Sequence, residues 1–279
     1  MSQDILMRYP EGRDRALTLS YDDGVEQDIR LISIMNKNGL KGTFNLNSGI
    51  YAREEKVYSE GDIHRRMSRS RITETYLGSG HEVAVHTYRH KHLEQLSAEM
   101  VAYETIKDRE TLEEQFGTVI RGFAYPYGSF NDTVVEVLKA CGIAYARTGI
   151  ETGKFLLPED WLRLAGTCRH KNPKLMEYAD KFIGQKVNSA PIMFYLWGHS
   201  YEFDADNNWN VIEEFAEFMG GRKEIWYATN IEIYDYVQDY KRLIFSAAGN
   251  RVYNPSCRSL WFAVDKKIYE IKPGETLEL

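Results

Sequence analysis

Apolar, β-branched and aromatic runs alternate along this chain with amphipathic windows of helical period. The runs "ALTLSY", "GTFNLN", "EVAVHT", "IRGFAYP", "IAYART", "LRLAGT", "IMFYLWGH" and "EIWYATN" predict strands. Helices are predicted over Val25 to Asn38, Leu93 to Phe116, Asp132 to Ala140, Pro173 to Val187, Trp209 to Met219 and Ile231 to Leu243. Such alternation implies an α/β chain of parallel strands joined by crossover helices. Seven or eight units of this kind predict a (β/α) barrel of about seven strands, and the polar residues gather just after the strands, where such barrels carry their chemistry.

Two stretches break the pattern. Residues 51–70, "YAREEKVYSEGDIHRRMSRS", are charged and aperiodic, and are read as an insertion over the barrel mouth or a mobile loop; His64 within it is not counted as a ligand. Beyond Phe245 the pattern changes to short alternating segments with turn signals, "RVYNPS", "LWFAVD", "IYEI" and "KPGETLEL". The expected organisation is therefore a barrel over residues 1–244 and a small β-hairpin appendage over 245–279. The appendage is too short for a core of its own and must pack on the barrel or on a second subunit, which would make a homo-oligomer.

Composition narrows the function classes. With 279 residues, 43% of them apolar, the chain can bury a large core, and its net charge of −6 offers no basic stripe for nucleic acid. Cys141, Cys168 and Cys257 lack any C-x-x-C pairing and read as idle thiols, neither a disulfide framework nor a thiolate zinc site. No run approaches the roughly 18 apolar residues of a membrane span, and the start, "MSQDILMRYPEGRDRA", has no apolar leader, so a cytoplasmic protein with no membrane partner is expected. Aromatics are in excess, with 19 Tyr, 12 Phe and 5 Trp, many beside the polar motifs, as suits stacking on sugar faces.

Four stretches carry candidate chemistry. "LTLSYDDGVEQD" sets Asp22 and Asp23 at a strand end before a Gly, either to aim two carboxylates at one cleft or to form an Asx turn that caps the next helix. "HEVAVHTYRH" spaces His86 and His90 four apart, which on a helical turn would put both on one face, a spacing that grips divalent metals. His86 lies five positions after His81, so the zinc-protease pattern H-E-x-x-H is not met, and His81 and His92 read as surface or packing histidines. Asp23, His86 and His90 together offer two nitrogens and one oxygen, an open set on a tetrahedral or octahedral ion. One carboxylate of the pair would then bind the ion while the other takes a proton from the attacking water.

In "RGFAYPYGSFND", Tyr125 to Gly128 form a rigid turn that either simply links strand to helix or presents a backbone N–H to an oxyanion, with the Tyr127 ring toward a sugar face. In "FYLWGHSYEF", His199 sits between Trp197 and Tyr201, as a packed histidine in an aromatic wall or, opposite a metal site, as a general acid. Trp197, Tyr201 and Tyr127 are the candidate substrate-binding rings.

These four ordered motifs resemble those of the polysaccharide deacetylase family, carbohydrate esterase family four, over about residues 16–243. The resemblance implies a distorted (β/α) barrel and a metal-dependent deacetylase of N-acetylated or O-acetylated sugars. "SYDDG" implies Asp22 as base and Asp23 as metal ligand; "HTYRH" implies that His86 and His90 complete the triad. "YPYG" implies an oxyanion contact from the Tyr127 backbone N–H, and "WGHS" implies His199 as the acid that protonates the leaving group. The cofactor implied is a divalent metal, with zinc, cobalt or another divalent ion as candidates.

Two departures stand out. Ala124 occupies the position where the family pattern has an arginine that holds the base. Arg147, ending the next strand in "YARTG", is the expected replacement, with Arg163 and Arg169 less well placed. The fourth motif is half present in "LLPEDW", with Leu157 where an Asp is expected, so Asp160 and Trp161 read as structural. Rival functions are an amidase on a non-sugar C–N bond and a carbohydrate-binding protein without catalysis; the presence of both a candidate base and a candidate acid speaks against the latter.

Overall fold

Along the central strand, Leu17, Leu19 and Tyr21 join the core beneath the helices, while Thr18, Ser20 and Asp22 alternate with them and form a buried polar column. Thr18 donates to Asn230 Oδ1 (2.8 Å), and Asn45 Nδ2 donates to Ser20 Oγ (2.9 Å), so the column is satisfied from within the barrel. The structure is a computed structural model that describes residues 5–279.

After β1 (Ile5–Arg8), the barrel strands are β2 (Arg15–Asp22), β3 (Gly42–Leu46), β4 (Glu82–Val85), β5 (Gly122–Ala124), β6 (Tyr145–Glu151), β7 (Leu164–Gly166), β8 (Cys168–Arg169) and β9 (Ile192–Gly198). All pair in parallel in the order β7-β6-β5-β4-β3-β2-β9-β8. Thr167 N–H donates to Tyr195 O (2.9 Å) between β7 and β8, so these two act as one irregular strand that closes the ring between β6 and β9. Counted so, the barrel has seven strands, as expected. Its distortion is visible at β4, which meets β5 at the single pair Val85 and Phe123. It is visible again at β10 (Ile225–Tyr227), which fills the slot beside the lower half of β2.

The helices are α1 (Gln27–Lys37), α2 (Arg69–Tyr76), α3 (Ala98–Phe116), α4 (Asp132–Ala140), α5 (Leu175–Gly184), α6 (Tyr201–Ala205), α7 (Asn210–Met219) and α8 (Asn230–Lys241). Helix α2 was hidden by its run of Arg and Ser. It forms because Ser68 accepts from Arg71 N–H at its start and because Ile72 and Tyr76, four apart, bury one face. Helix α3 begins at Ala98, five residues later than the periodicity predicts; Leu93 is buried separately in a short 3-10 turn.

Beyond α8, β11 (Ile244–Phe245), β12 (Arg251–Tyr253) and β15 (Thr276–Glu278) make one antiparallel sheet, while β13 (Leu260–Val264) and β14 (Lys267–Ile271) make another with β1. Because β1 pairs with β13 along Ile5–Arg8, the appendage is built from both ends of the chain rather than from residues 245–279 alone. Val252, Phe262 and Ile271 share a core with Ala16, Tyr145 and Met193 at the strand starts, sealing the barrel at the end opposite the polar motifs. Among the described residues, no helix is long and apolar enough to cross a membrane.

Candidate functional site

Strand β2 ends in a backbone reversal: Asp23 (φ 85°) and Gly24 (φ 63°) are both left-handed. This breaks the strand alternation, so that Asp22 and Asp23, both buried, line the same cleft. Thr87 (φ 66°), His90 (φ 53°) and Tyr127 (φ 59°) share that conformation. Strained non-glycine backbone thus concentrates around one point, as it does where a site must be held against local preference.

Asp23, His86 and His90 each place a ligating atom within 4.8 Å of the others. The two histidines do not lie on a helical turn, as their spacing had predicted, but on an irregular loop after β4 bent at Thr87 and His90. His86 Nδ1–H donates to Ala124 O (2.8 Å), which leaves Nε2 buried without a hydrogen-bond partner and aimed at the cluster. Burial lowers the pKa of His86, and burial followed by the neighbouring His86 lowers that of His90 to about 4, so both rings are neutral, as metal ligation requires. An orphaned imidazole nitrogen beside a second neutral imidazole and a carboxylate is a donor set that fits a divalent cation.

Helix α3 holds this loop through two buried carboxylates that the sequence reading missed. Asp108 accepts from His86 N–H (3.1 Å) and from Ser48 N–H (2.7 Å), and Glu104 accepts from Arg89 N–H (2.8 Å) and Nε–H (2.7 Å). The available signal was their four-residue spacing on the same helix stripe as Val101, Thr105 and Leu112.

Asp22 lies beside the triad and carries the expected arginine. Arg147 Nη2 donates to Asp22 Oδ1 at 2.5 Å and also to Oδ2, and Asn45 Nδ2 donates to Oδ1 at 2.8 Å. The register explains the substitution: Arg147 sits directly across from Ala124 on the neighbouring strand, so its side chain starts from the adjacent position. Burial pushes the Asp22 carboxyl up, but Arg147 foremost, with His86 and His199, holds it below its ordinary value. Arg163 bonds Asp132 and Asp160 instead, and Arg169 bonds Glu202.

His199 forms the opposite wall. A Cβ on Gly198 would lie 2.0 Å from His170 Nδ1, so only glycine can precede it here. His199 Nε2 is 3.6 Å from Asp22 Oδ2, and its Nδ1 is 3.5 Å from Glu202 Oε2, one turn further along in α6. Burial lowers the His199 pKa, but Glu202, Asp22 and Asp23 together raise it above its ordinary value. Glu202 was missed, although its three-residue spacing from His199 was legible; His170 Nε2 (3.3 Å) and Arg169 hold it from the other side.

The cleft between these walls encloses about 280 Å³. Tyr127 is 61% exposed, stacks on His92 (centroids 3.7 Å apart) and meets the His90 ring in a T-shaped contact (4.6 Å). No acceptor among the described residues takes its N–H. Tyr201 contributes a second ring, set against His199 and His64. Trp197 differs from expectation. It is 8% exposed, and Arg147 (4.7 Å) and Arg169 (5.3 Å) lie over its ring, so it forms cleft wall rather than a platform for a sugar. His81 accepts from Gly42 N–H, and Asp160 and Trp161 stay outside the cleft, Asp160 capping a turn and Trp161 packing on Tyr234.

Comparison with known proteins finds that the polysaccharide deacetylase family model matches residues 9–146. A curated chitin deacetylase of Arthroderma benhamiae is 28% identical over 128 residues, 44% of this chain and 30% of that protein, so the chain spans less than a third of this relative's length in the match. Among solved structures, a putative polysaccharide deacetylase from Mycobacterium smegmatis superposes with a TM-score of 0.56 at 15% identity, covering 85% of this chain and 94% of the other. The Xyl-CE4 domain of a multidomain xylanase from the hindgut metagenome of Trinervitermes trinervoides gives 0.51 at 17% identity, covering 81% and 92%. These likenesses establish the shared barrel fold. The family match includes Asp22, Asp23, His86, His90 and Tyr127 and stops one residue before Arg147.

Proposed function

We propose that this chain, whose residues 9–146 match the polysaccharide deacetylase family model, is a metal-dependent hydrolase removing acetyl groups from N-acetylated or O-acetylated sugars. The observation that carries the reading is the placement of Asp22, free of the ligand triad and held ionised by Arg147, 3.6 Å from His199 on the facing wall. Binding alone would need no such pair of base and acid.

Asp23, His86 and His90 would hold a divalent ion, zinc or cobalt being candidates, which when bound supplies Lewis-acid polarisation of the acetyl carbonyl and acidifies a water. Asp22 takes the proton of the attacking water. The unpaired Tyr127 N–H donates to the oxygen on which negative charge develops. His199, its pKa raised, gives a proton to the departing amine or alkoxide, so acetate and a free amine or hydroxyl result. Tyr127 and Tyr201 offer the rings against which an oligosaccharide or small glycoside packs.

The test is product analysis on acetylated mono- and oligosaccharides, with simple amides in parallel. Stoichiometric acetate without ammonia is expected from the sugars. Ammonia from non-sugar amides with no acetate from any sugar would favour an amidase, and sugar binding without any product would contradict catalysis.

A further inference from the structure

Of residues 51–70, expected as an insertion or mobile loop, the last two open α2 and 51–68 form a strap pinned across the turn that bears Asp23. Met67 N–H donates to Gly24 O (3.0 Å), Glu26 N–H donates to Arg65 O (2.8 Å), and Val25 and Arg66 form an antiparallel bridge. Tyr58 OH donates to Arg66 O at 2.7 Å. Arg65 pairs with Glu26 (2.8 Å) and Asp204 (3.1 Å), tying the strap to α6 beyond His199.

Arg66 lies where the ligand-bearing segments meet. Its Nη2 donates to Asp23 Oδ1 (3.0 Å), and its Nη1 donates to Asp23 O (2.8 Å) and to Asn47 Oδ1 (3.0 Å). Asn47 is buried, and its Nδ2 donates to Thr87 O (3.0 Å) and to His86 O. One guanidinium and one carboxamide therefore join the turn carrying Asp23 to the loop carrying His86 and His90. Both segments contain left-handed non-glycine residues, Asp23 and Thr87, a conformation that persists only where its surroundings hold it.

We propose that Arg66 is a positioning residue for the metal site: together with Asn47 it sets Asp23 against the histidine pair and so governs how tightly a divalent ion is held. The inference rests on the reading that Asp23, His86 and His90 bind that ion. Ligands are oriented by hydrogen bonds from outside the coordination sphere, and losing such a partner weakens metal binding about 10–100-fold. The planar fork of arginine reaches the carboxylate and the backbone oxygen of Asp23 at once, which a lysine ammonium on a single flexible stem does not reproduce. Its positive charge acts against the ion, but it is shared with the neutral oxygens of Asp23 and Asn47 on the strap side.

Metal affinity of the full chain, measured with zinc or cobalt in competition with a chromophoric chelator, tests the proposal. Arg66→Met should bind about 10–100-fold more weakly than wild type, and its turnover should recover as metal is raised. Arg65→Met, which removes the ion pairs to Glu26 and Asp204 but keeps the backbone bonds that hold Arg66 against the Asp23 turn, should lose clearly less affinity than Arg66→Met. Arg66→Lys, keeping charge but not fork, should fall between, and it decides the matter if Arg66→Met does not fold. Arg66 variants that bind as tightly as wild type or tighter would overturn the proposal, as would an equal loss in Arg65→Met. If His90→Ala loses the ion while the Arg66 variants keep it, this inference alone fails; if wild type binds no ion, the metal reading fails and takes this inference with it.

Discussion

Asp22→Asn should fold and keep its metal yet turn over about 10²–10⁴-fold more slowly, the usual worth of a positioned general base. The change keeps the volume of the side chain and an oxygen for Asn45 and Arg147, but removes the site at which the water proton can land. Asp22 is not one of the three clustered donors, so elemental analysis should give an unchanged metal content. The loss should fall on kcat with KM nearly constant, since the interaction removed is made only in the transition state. Turnover within tenfold of wild type would assign the proton to another group.

Arg147→Met should lose both activity and stability. It leaves Asp22 buried and without its main counter-charge, a situation that costs about 3–5 kcal/mol. The pH dependence gives the sign. In wild type the folded Asp22 pKa is depressed, so its contribution to stability is present above the unfolded value and lost as pH falls through the folded one. Without Arg147, only His86 and His199 oppose the effect of burial, and the folded pKa is expected to rise above the unfolded value. The remaining stability is then full at acid pH and lost as pH climbs through the raised pKa. Denaturant unfolding at pH 5 and pH 8 should show a larger deficit at pH 8, and the acid limb of the rate profile should move to higher pH. A deficit independent of pH would place the role of Arg147 elsewhere. The double variant Asp22→Asn, Arg147→Met should cost less stability than the sum of the single changes, because neither charge is then left alone.

That Arg147 reaches Asp22 was legible because consecutive strands of a parallel barrel are neighbours, which put Arg147 beside Ala124 before any side chain was placed. Strands β2, β4, β5 and β10 were legible for a related reason: each is followed, across no more than a turn, loop or 3-10 segment, by a helix that the periodicity predicts. His86 and His90 were found through a spacing whose assumed geometry was wrong; a left-handed Thr87 brings together what a helical turn would also have brought together. Arg66, Asn47 and Asn45 were not legible. Arg66 meets Asp23 across 43 residues and through a strap with no period, and no local pattern encodes that meeting. Trp197 misled because an aromatic beside a catalytic motif looks the same in sequence whether its ring faces solvent or lies beneath two guanidiniums.

The central claim, one metal site that drives deacetylation, is tested most directly by measuring bound metal and acetate release on the same samples. Wild type, Asp23→Ala, His86→Ala and His90→Ala would be stripped of metal and then supplied with single divalent ions. Wild type should lose acetate release on stripping and regain it with a bound ion, while each variant should lose metal and activity together. Full metal occupancy with full activity in His90→Ala, or undiminished acetate release from the stripped wild-type protein, would contradict the account.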